Sequence, residues 1–294
     1  MQRASARAPG PRVPPRHFAP CRSLIALRFA TTNSRTIVAS SSFSLSNPRR
    51  LAPSWRDVVV PALAYHKVAE IPDGAVHRGN YVTPRQFITQ LRLLRALGYE
   101  AISFRDLLAY RRGEADLPGR PVVITFDDGY RSTLDFALPA VRAHGFFATV
   151  FVVTGLFGAT NQWDADEIQE RLVSMDDVRR IAAEGHDVQS HTRTHRDLNS
   201  LPVADALTEL AESRVELERV LGTAVDVVAY PWGNPSRRVR DLARQAGYAA
   251  GVILRRRVNF DTTSAFALRR IGINNQTSIA RFAWDLARLR WRGE

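Results

Sequence analysis

From Asp57 onward the chain alternates short apolar runs with amphipathic segments, and no other feature restricts its fold so strongly. "VVVPALAYH" reads as a strand. "TPRQFITQLRLLRALGY" follows it with Phe87, Leu91, Leu94 and Leu97 on one helical face, Pro84 near the start and Gly98 at the end. The same grammar recurs. "PVVITFDD" precedes "RSTLDFALPAVRAHG", and "ATVFVV" precedes a long loop and "SMDDVRRIAAEG", where Ser174 and Asp177 form a capping box. "HDVQSH" precedes "VADALTELAESRVELERVLG", and "VDVVAYP" precedes "SRRVRDLARQAG". "AAGVIL" and "ALRRIGI" are further strands, and "SIARFAWDLARLRW" closes the chain as an amphipathic helix. Strands separated by helices of about 10–15 residues pair in parallel, which predicts an α/β fold, either a barrel or an open doubly wound sheet. Nothing between Asp57 and Glu294 marks a second domain. The longest insertion, "TGLFGATNQWDADEIQERLV", follows a strand on the side where the other strands end in polar residues, so it is expected to help shape a site.

The formal charge of +12 invites a nucleic-acid reading until it is located. Ten of the 41 basic residues precede Asp57, where no acidic residue occurs, so the rest of the chain is nearly balanced against all 29 acids. The basicity belongs to residues 1–56 and predicts no nucleic-acid face. That Pro-, Ser- and Arg-rich stretch has no apolar period and is expected to be a disordered or leader-like extension; its composition also suits an organelle transit peptide or translation from a start codon too far upstream. Its run "SLIALRFATT" is broken by Arg28 and makes no convincing signal peptide. No stretch approaches the ~20 apolar residues of a membrane-spanning helix. The chain is therefore expected to be soluble, in the cytoplasm or envelope of a bacterium. Cys21 is the single cysteine, so any metal site must be built from histidines and carboxylates. Lys67, the one lysine among the basic residues, reads as coding bias.

Polar residues gather at the C-terminal ends of the predicted strands. Asp127 and Asp128 end one, His191 and His195 follow another, and Tyr230, Pro231 and Trp232 end a third. Parallel α/β folds bind ligands at that edge. Neighbouring side chains in a strand face opposite ways, so the two aspartates can share a site only if the backbone turns, which Gly129 makes cheap. In "HTRTH" the histidines are four apart, the spacing of one helical turn, which would put them on one face. Two imidazoles and a carboxylate make a three-ligand site for a divalent metal with coordination left open, and the second carboxylate remains free as a base. Asp-Asp-Gly alone is commonly only a turn. The coincidence of both pairs at strand ends in one domain is what favours chemistry. His186, beside Gly185, reads as structural, and His144 as a helix-end residue bonded to the last carbonyls. His17 and His77 carry no signal.

These residues resemble the polysaccharide deacetylases that share the NodB homology domain, carbohydrate esterase family 4. The resemblance runs from about Ala62 to Asn274. "TFDDGY", "SHTRTH" and "AYPWGNPS" are similar to the family's first three motifs, and "YHKV" and "ALRRIGI" resemble the flanking motifs of the branch acting on bacterial surface polysaccharides. The resemblance implies a distorted (β/α) barrel of about seven parallel strands and metal-dependent removal of an acetyl group from an N-acetylated sugar. By position it implies Asp127 as general base, Asp128, His191 and His195 as ligands of one divalent ion, most commonly Zn2+, and the Tyr130 backbone N–H as a donor to the oxyanion. Thr192 would brace the histidine pair, and Tyr230 and Trp232 would line the acetyl pocket or stack on a sugar. Two positions depart from the pattern. Ala229 stands where many members carry an arginine that orients the base, and Arg269 and Arg270 stand where many carry a general-acid histidine. His66, in "YHKV", is the expected acid by similarity to the surface-polysaccharide branch.

Other classes remain open on sequence. The same fold could bind a glycan without turnover, or act as an amidase or deformylase on a small or lipid-linked substrate. Two histidines and a carboxylate also form the iron triad of oxygenases. The oligomeric state is not encoded in any feature of the chain.

Overall fold

The computed structural model describes residues 59–260 and 262–292. The basic extension, with Cys21 and His17, lies outside them. Ten strands occur among the described residues: β1 (Ala62–Tyr65), β2 (Lys67–Val68), β3 (Tyr81–Val82), β4 (Glu100–Ala101), β5 (Pro121–Phe126), β6 (Thr149–Val152), β7 (Asp187–Ser190), β8 (Val227–Ala229), β9 (Ala250–Leu254) and β10 (Leu268–Gly272). The helices are α1 (Pro84–Ala96), α2 (Phe104–Arg111), α3 (Leu138–Ala143), α4 (Met175–Ala183), α5 (Val203–Leu221), α6 (Arg237–Gln245) and α7 (Ile279–Arg292).

Seven of the strands close a parallel barrel in the order β1-β10-β9-β8-β7-β6-β5, with β5 returning to pair with β1. The closure decides between the two architectures the alternation allowed, in favour of the expected barrel. It is distorted at one seam. β4 pairs with Pro121 and Val122 at the start of β5, while β6 pairs only with Thr125 and Phe126 at its end. The period of two sorts the side chains. Ala62, Val123, Phe151, Val227, Ala229, Ala250, Val252 and Leu268 form one buried cluster, and α2 adds Phe104, Leu107 and Leu108 to it. The alternate residues pack against the other helices in a larger cluster with Leu63, Ile124, Phe126, Val150, Val152 and Val228.

Helix α2 is the element that the alternation did not predict. Its eight residues are announced by Ser103 and Asp106, which cap one another reciprocally. The expected capping box at Ser174 and Asp177 forms on α4, and a further one at Thr83 and Gln86 starts α1. The helix expected from Arg131 to Gly145 opens with a wide turn over Thr133–Ala137 before α3. Pro139, with no N–H to donate, cannot continue a regular ladder there.

His186 and His144 are structural, as expected. His144 Nδ1 meets the Ala140 carbonyl at 2.8 Å, and His186 Nδ1 accepts the Ala148 N–H at 3.2 Å. Burial, with the charge of Arg142, pushes the His186 imidazole down to about 4 from 6.5. The unfolded chain therefore takes up this proton near pH 6.5 and the folded chain only near pH 4, so stability is lost as pH falls through that window. His186→Asn keeps an acceptor for the Ala148 N–H but cannot take the proton. Thermal denaturation should show its Tm falling less steeply than wild type on acidification, by a few degrees at ~2–4 °C per kcal/mol. Parallel Tm–pH curves would mean that His186 does not carry this sensitivity.

Candidate active site

The C-terminal ends of β1, β5, β7 and β8 bring His66, the two aspartates, the two histidines and Trp232 to one mouth of the barrel. Asp127 continues the inward parity of Val123 and Thr125, and its N–H donates to the Tyr65 carbonyl at 2.9 Å. Asp128 then turns. Its φ of 73° is followed by the same φ at Gly129, two left-handed residues in succession. A Cβ at Gly129 would lie 3.1 Å from Val152 Cγ1 and 3.3 Å from Val173 Cγ2, so glycine serves both the turn and the close approach. The pair thus diverges, each aspartate toward different partners.

Asp127 is held by Arg270, a residue of β10 with no solvent exposure. Nη1 donates to Oδ1 at 2.5 Å and Nη2 to Oδ2 at 2.8 Å, and Nη1 also donates to Thr125 Oγ1 at 3.0 Å. The guanidinium carbon lies 5.1 Å from the centre of the Phe151 ring. Burial alone would raise the Asp127 carboxyl. The charges of Arg270 and His191, the hydrogen bonds from Arg270 and the charge of His66 outweigh it and hold the group below the ordinary carboxylate range. The arginine that the Ala229 position lacks is therefore supplied from another strand. Sequence reasoning noticed Arg270 only as an absent histidine. The usable signal was its parity with Leu268, which points a charge into the barrel where a carboxylate must meet it.

Asp128 Oδ1 lies 3.2 Å from His191 Nε2 and 3.3 Å from His195 Nε2. The three ligand atoms lie within 4.8 Å of one another and all three residues are buried. Asp128 Oδ1 nevertheless forms no hydrogen bond. A buried carboxylate oxygen facing two imidazole nitrogens without hydrogen-bond geometry fits a divalent cation among them, and the donor set is a common catalytic one. Burial would raise the Asp128 carboxyl, but the facing His191 and His195 hold it well below its usual range. His191 Nδ1 meets the Ala229 carbonyl at 2.8 Å. With its proton on Nδ1, the ring presents the Nε2 lone pair to the site.

The histidines share a face for a reason other than the expected one. Residues 191–197 form a loop with no helical turn, and Thr192 and His195 have φ of 64° and 62°. Left-handed backbone at a β-branched residue costs about 1–3 kcal/mol and persists only where the surroundings impose it. Here they do. The Glu209 carboxylate on α5, nearly buried, accepts the Arg193 N–H at 3.0 Å, the Thr194 N–H at 2.8 Å and the Thr194 hydroxyl. Thr192 contributes through its backbone, its carbonyl accepting the Thr154 N–H at 3.2 Å, while its hydroxyl has no partner.

Trp232 has φ of 64°, is 60% exposed and lies 5.7 Å from the His195 ring, at the edge of a cleft of about 670 Å³. Tyr230 does not reach that cleft. It is 2% exposed, and its ring fills the space over Gly251, where an added Cβ would lie 2.1 Å from the hydroxyl. Its place in the core behind the site follows from Gly251, which leaves a hole only an inward ring can fill. The cleft is also walled by Trp163 from the long insertion, stacked on His195 at 4.4 Å and 24°. Sequence reasoning named the insertion and missed this residue. His66, half-buried directly after β1, lies close enough for its charge to act on both aspartates. The Tyr130 N–H has no backbone acceptor among the described residues.

The family model of polysaccharide deacetylases matches residues 114–251. The chain is 23% identical over 225 residues to the Bacillus subtilis protein YxkH, named after the same family, covering 76% of this chain and 74% of that one. It is 24% identical over 201 residues to the poly-beta-1,6-N-acetyl-D-glucosamine N-deacetylase of Staphylococcus aureus strain MRSA252, covering 67% of this chain and 69% of the relative. The fold is similar to that of the Streptococcus pyogenes deacetylase PplD, solved in complex with acetate. The TM-score is 0.69 at 23% identity, over 78% of this chain and 99% of PplD.

Proposed function

We propose that this chain, whose residues 114–251 match the family model of polysaccharide deacetylases, removes acetyl groups from N-acetylated sugars of a polysaccharide by metal-dependent hydrolysis of the carbon–nitrogen bond. The observation that carries this reading is the division of labour between adjacent aspartates: Asp127 faces Arg270 and Asp128 faces two imidazoles. A binding protein has no use for a buried, ionised carboxylate beside a ligand set, and an oxygenase triad needs no such base. The name of the Staphylococcus aureus relative supports a polymer of N-acetylglucosamine as the substrate.

Asp128, His191 and His195 would hold a divalent cation, zinc the first choice, which would supply Lewis-acid polarisation of the amide and acidify the attacking water. The protein does the rest. Asp127, kept ionised and aligned by Arg270, takes the proton of the attacking water. The Tyr130 N–H donates to the oxygen that gains charge. An amide nitrogen leaves only when protonated, and His66 delivers that proton from the end of β1. Trp232 and Trp163, both lining the cleft, offer aromatic surface to the sugar. Among the described residues no helix is long and apolar enough to cross a membrane.

The test is release of acetate and free amine from a panel of N-acetyl sugars, anaerobically, with and without chelator. Turnover should appear with zinc and vanish with chelator; no release from any substrate would overturn the reading. In the same assay His66→Ala should lose about 10²–10⁴-fold in kcat on an N-acetyl sugar yet keep activity on an aryl acetate, whose phenolate leaves unaided. Equal losses on both substrates would remove the acid role from His66.

A further inference from the structure

Every basic residue of the described barrel other than Lys67 is an arginine, and Lys67 has no solvent exposure. Coding bias does not account for that single exception. Its Nζ lies 2.8 Å from Glu170 Oε1, donates to the Tyr81 hydroxyl at 3.1 Å, and sits between two ring faces, 4.6 Å from the centre of Tyr81 and 4.5 Å from that of Tyr130. A compact ammonium fits this slot; a planar guanidinium needs more room and a different set of acceptors. Glu170 Oε1 also accepts the Tyr81 hydroxyl at 2.7 Å.

Glu170 belongs to the returning arm of the long insertion that carries Trp163. The arm is folded on itself around the buried Asn161, whose Nδ2 donates to the Ile168 carbonyl at 3.2 Å and whose Oδ1 accepts the Glu170 N–H at 2.7 Å. The Asp164 N–H donates to the Asn161 carbonyl and the Glu167 N–H to the Asp164 carbonyl, so the backbone on either side of Trp163 is pinned to this turn. Glu167 adds a second tether by accepting the His77 N–H at 2.6 Å. A line of contacts also runs directly from Lys67 through the Tyr130 ring, which is 6.5 Å from Trp163, to the stack of Trp163 on His195.

We propose that Lys67, by pairing with Glu170, is a positioning residue that sets Trp163 against His195 and so fixes one wall of the sugar cleft. The assignment of the cleft to a sugar rests on the function proposed above; the placement of Trp163 does not. Lys67 touches neither the reacting atoms nor the ligand set, and it acts through the insertion.

The experiment uses the zinc-loaded full chain labelled with 5-fluorotryptophan, with the Trp163 resonance identified by its absence in Trp163→Phe. Lys67→Met should shift and broaden the Trp163 signal, leave that of Trp284 in place, and keep zinc stoichiometry. KM for an N-acetylated polymer should rise about two- to tenfold, the range for loss of one stacked ring contact, with a smaller change in kcat. Because Lys67→Met leaves Glu170 without its cation and could unfold the chain, the double variant Lys67→Met/Glu170→Leu removes both charges. It should restore Tm toward wild type while Trp163 stays displaced. A Trp163 resonance at its wild-type position in the double variant overturns the proposal and reduces the pair to charge balance. The resonance is read without turnover, so a failure of the deacetylase reading leaves this result interpretable.

Discussion

His191→Ala is expected to abolish zinc binding and turnover together. The ligand atoms of Asp128, His191 and His195 converge without forming hydrogen bonds at Asp128 Oδ1, and each of the three is fixed from behind. His191 is oriented by the Ala229 carbonyl, His195 is carried by the loop that Glu209 grips, and Asp128 is turned by its left-handed backbone. Losing even an outer partner of a metal-bound histidine typically costs about 10–100-fold in affinity, so losing one of three ligands should cost more. The variant should still fold, because alanine removes the ring from a wall of the mouth and not from the barrel core. The measurement is zinc stoichiometry by calorimetric titration, alongside acetate release. Acidification should weaken binding in the wild type by the same route, since protons compete for both imidazoles. Full occupancy in His191→Ala at low micromolar zinc would remove His191 from the ligand set.

How far this site was legible in the sequence depends on the range over which each partnership is encoded. The strands were readable because each is a short apolar run and the helices between them are local, whereas closure into a barrel was not, since an open doubly wound sheet with helices on both sides buries both faces as well. Asp127 and Asp128 were readable as a diverging pair because Gly129 is adjacent. The histidine spacing singled out two residues that both face Asp128, by a geometry other than the expected one: four residues can share a face through a helical turn or through two left-handed residues, and only Glu209, fourteen residues beyond His195, decides which. The pairing of Arg270 with Asp127 was out of reach, since it joins positions 143 residues apart. Resemblance to a family led to an arginine beside Asp127, but at the position where this chain has Ala229. Trp163 was invisible for another reason. It lies in a segment with no period, where side-chain direction is set by Asn161, Glu167 and Glu170 and not by neighbours in sequence. Lys67 was misread because a single exception in composition looks like noise until its burial is known.

Asp127→Asn separates the two aspartates most sharply. The substitution keeps the shape of the side chain and leaves Asp128, His191 and His195 untouched, so zinc should remain bound at wild-type stoichiometry. Turnover should fall by about 10²–10⁴-fold, the usual range for loss of a general base. The same change strips the charge from one end of a buried pair. Arg270, fully buried, would keep Thr125 and a neutral amide but lose the carboxylate that balances it. Breaking a buried ion pair on one side costs about 3–5 kcal/mol, and the Asn side chain, which can still accept one hydrogen bond, should keep the loss toward the lower end. Assays therefore belong well below the lowered Tm, with circular dichroism on the same sample to separate unfolding from lost chemistry. Arg270 also sets a trade in the wild type. With Asp127 as the proposed base, holding it below the ordinary carboxylate range makes it a weaker one, yet keeps it ionised and aligned to take a proton from the attacking water. If alignment matters more than basicity, Arg270→Lys, which keeps the charge but not the two-pronged grip, should lower kcat while zinc binding stays intact. An Asp127→Asn enzyme that stays folded, binds zinc and turns over within a few-fold of wild type would take the base away from Asp127 and leave its pairing with Arg270 as a feature of the barrel interior alone.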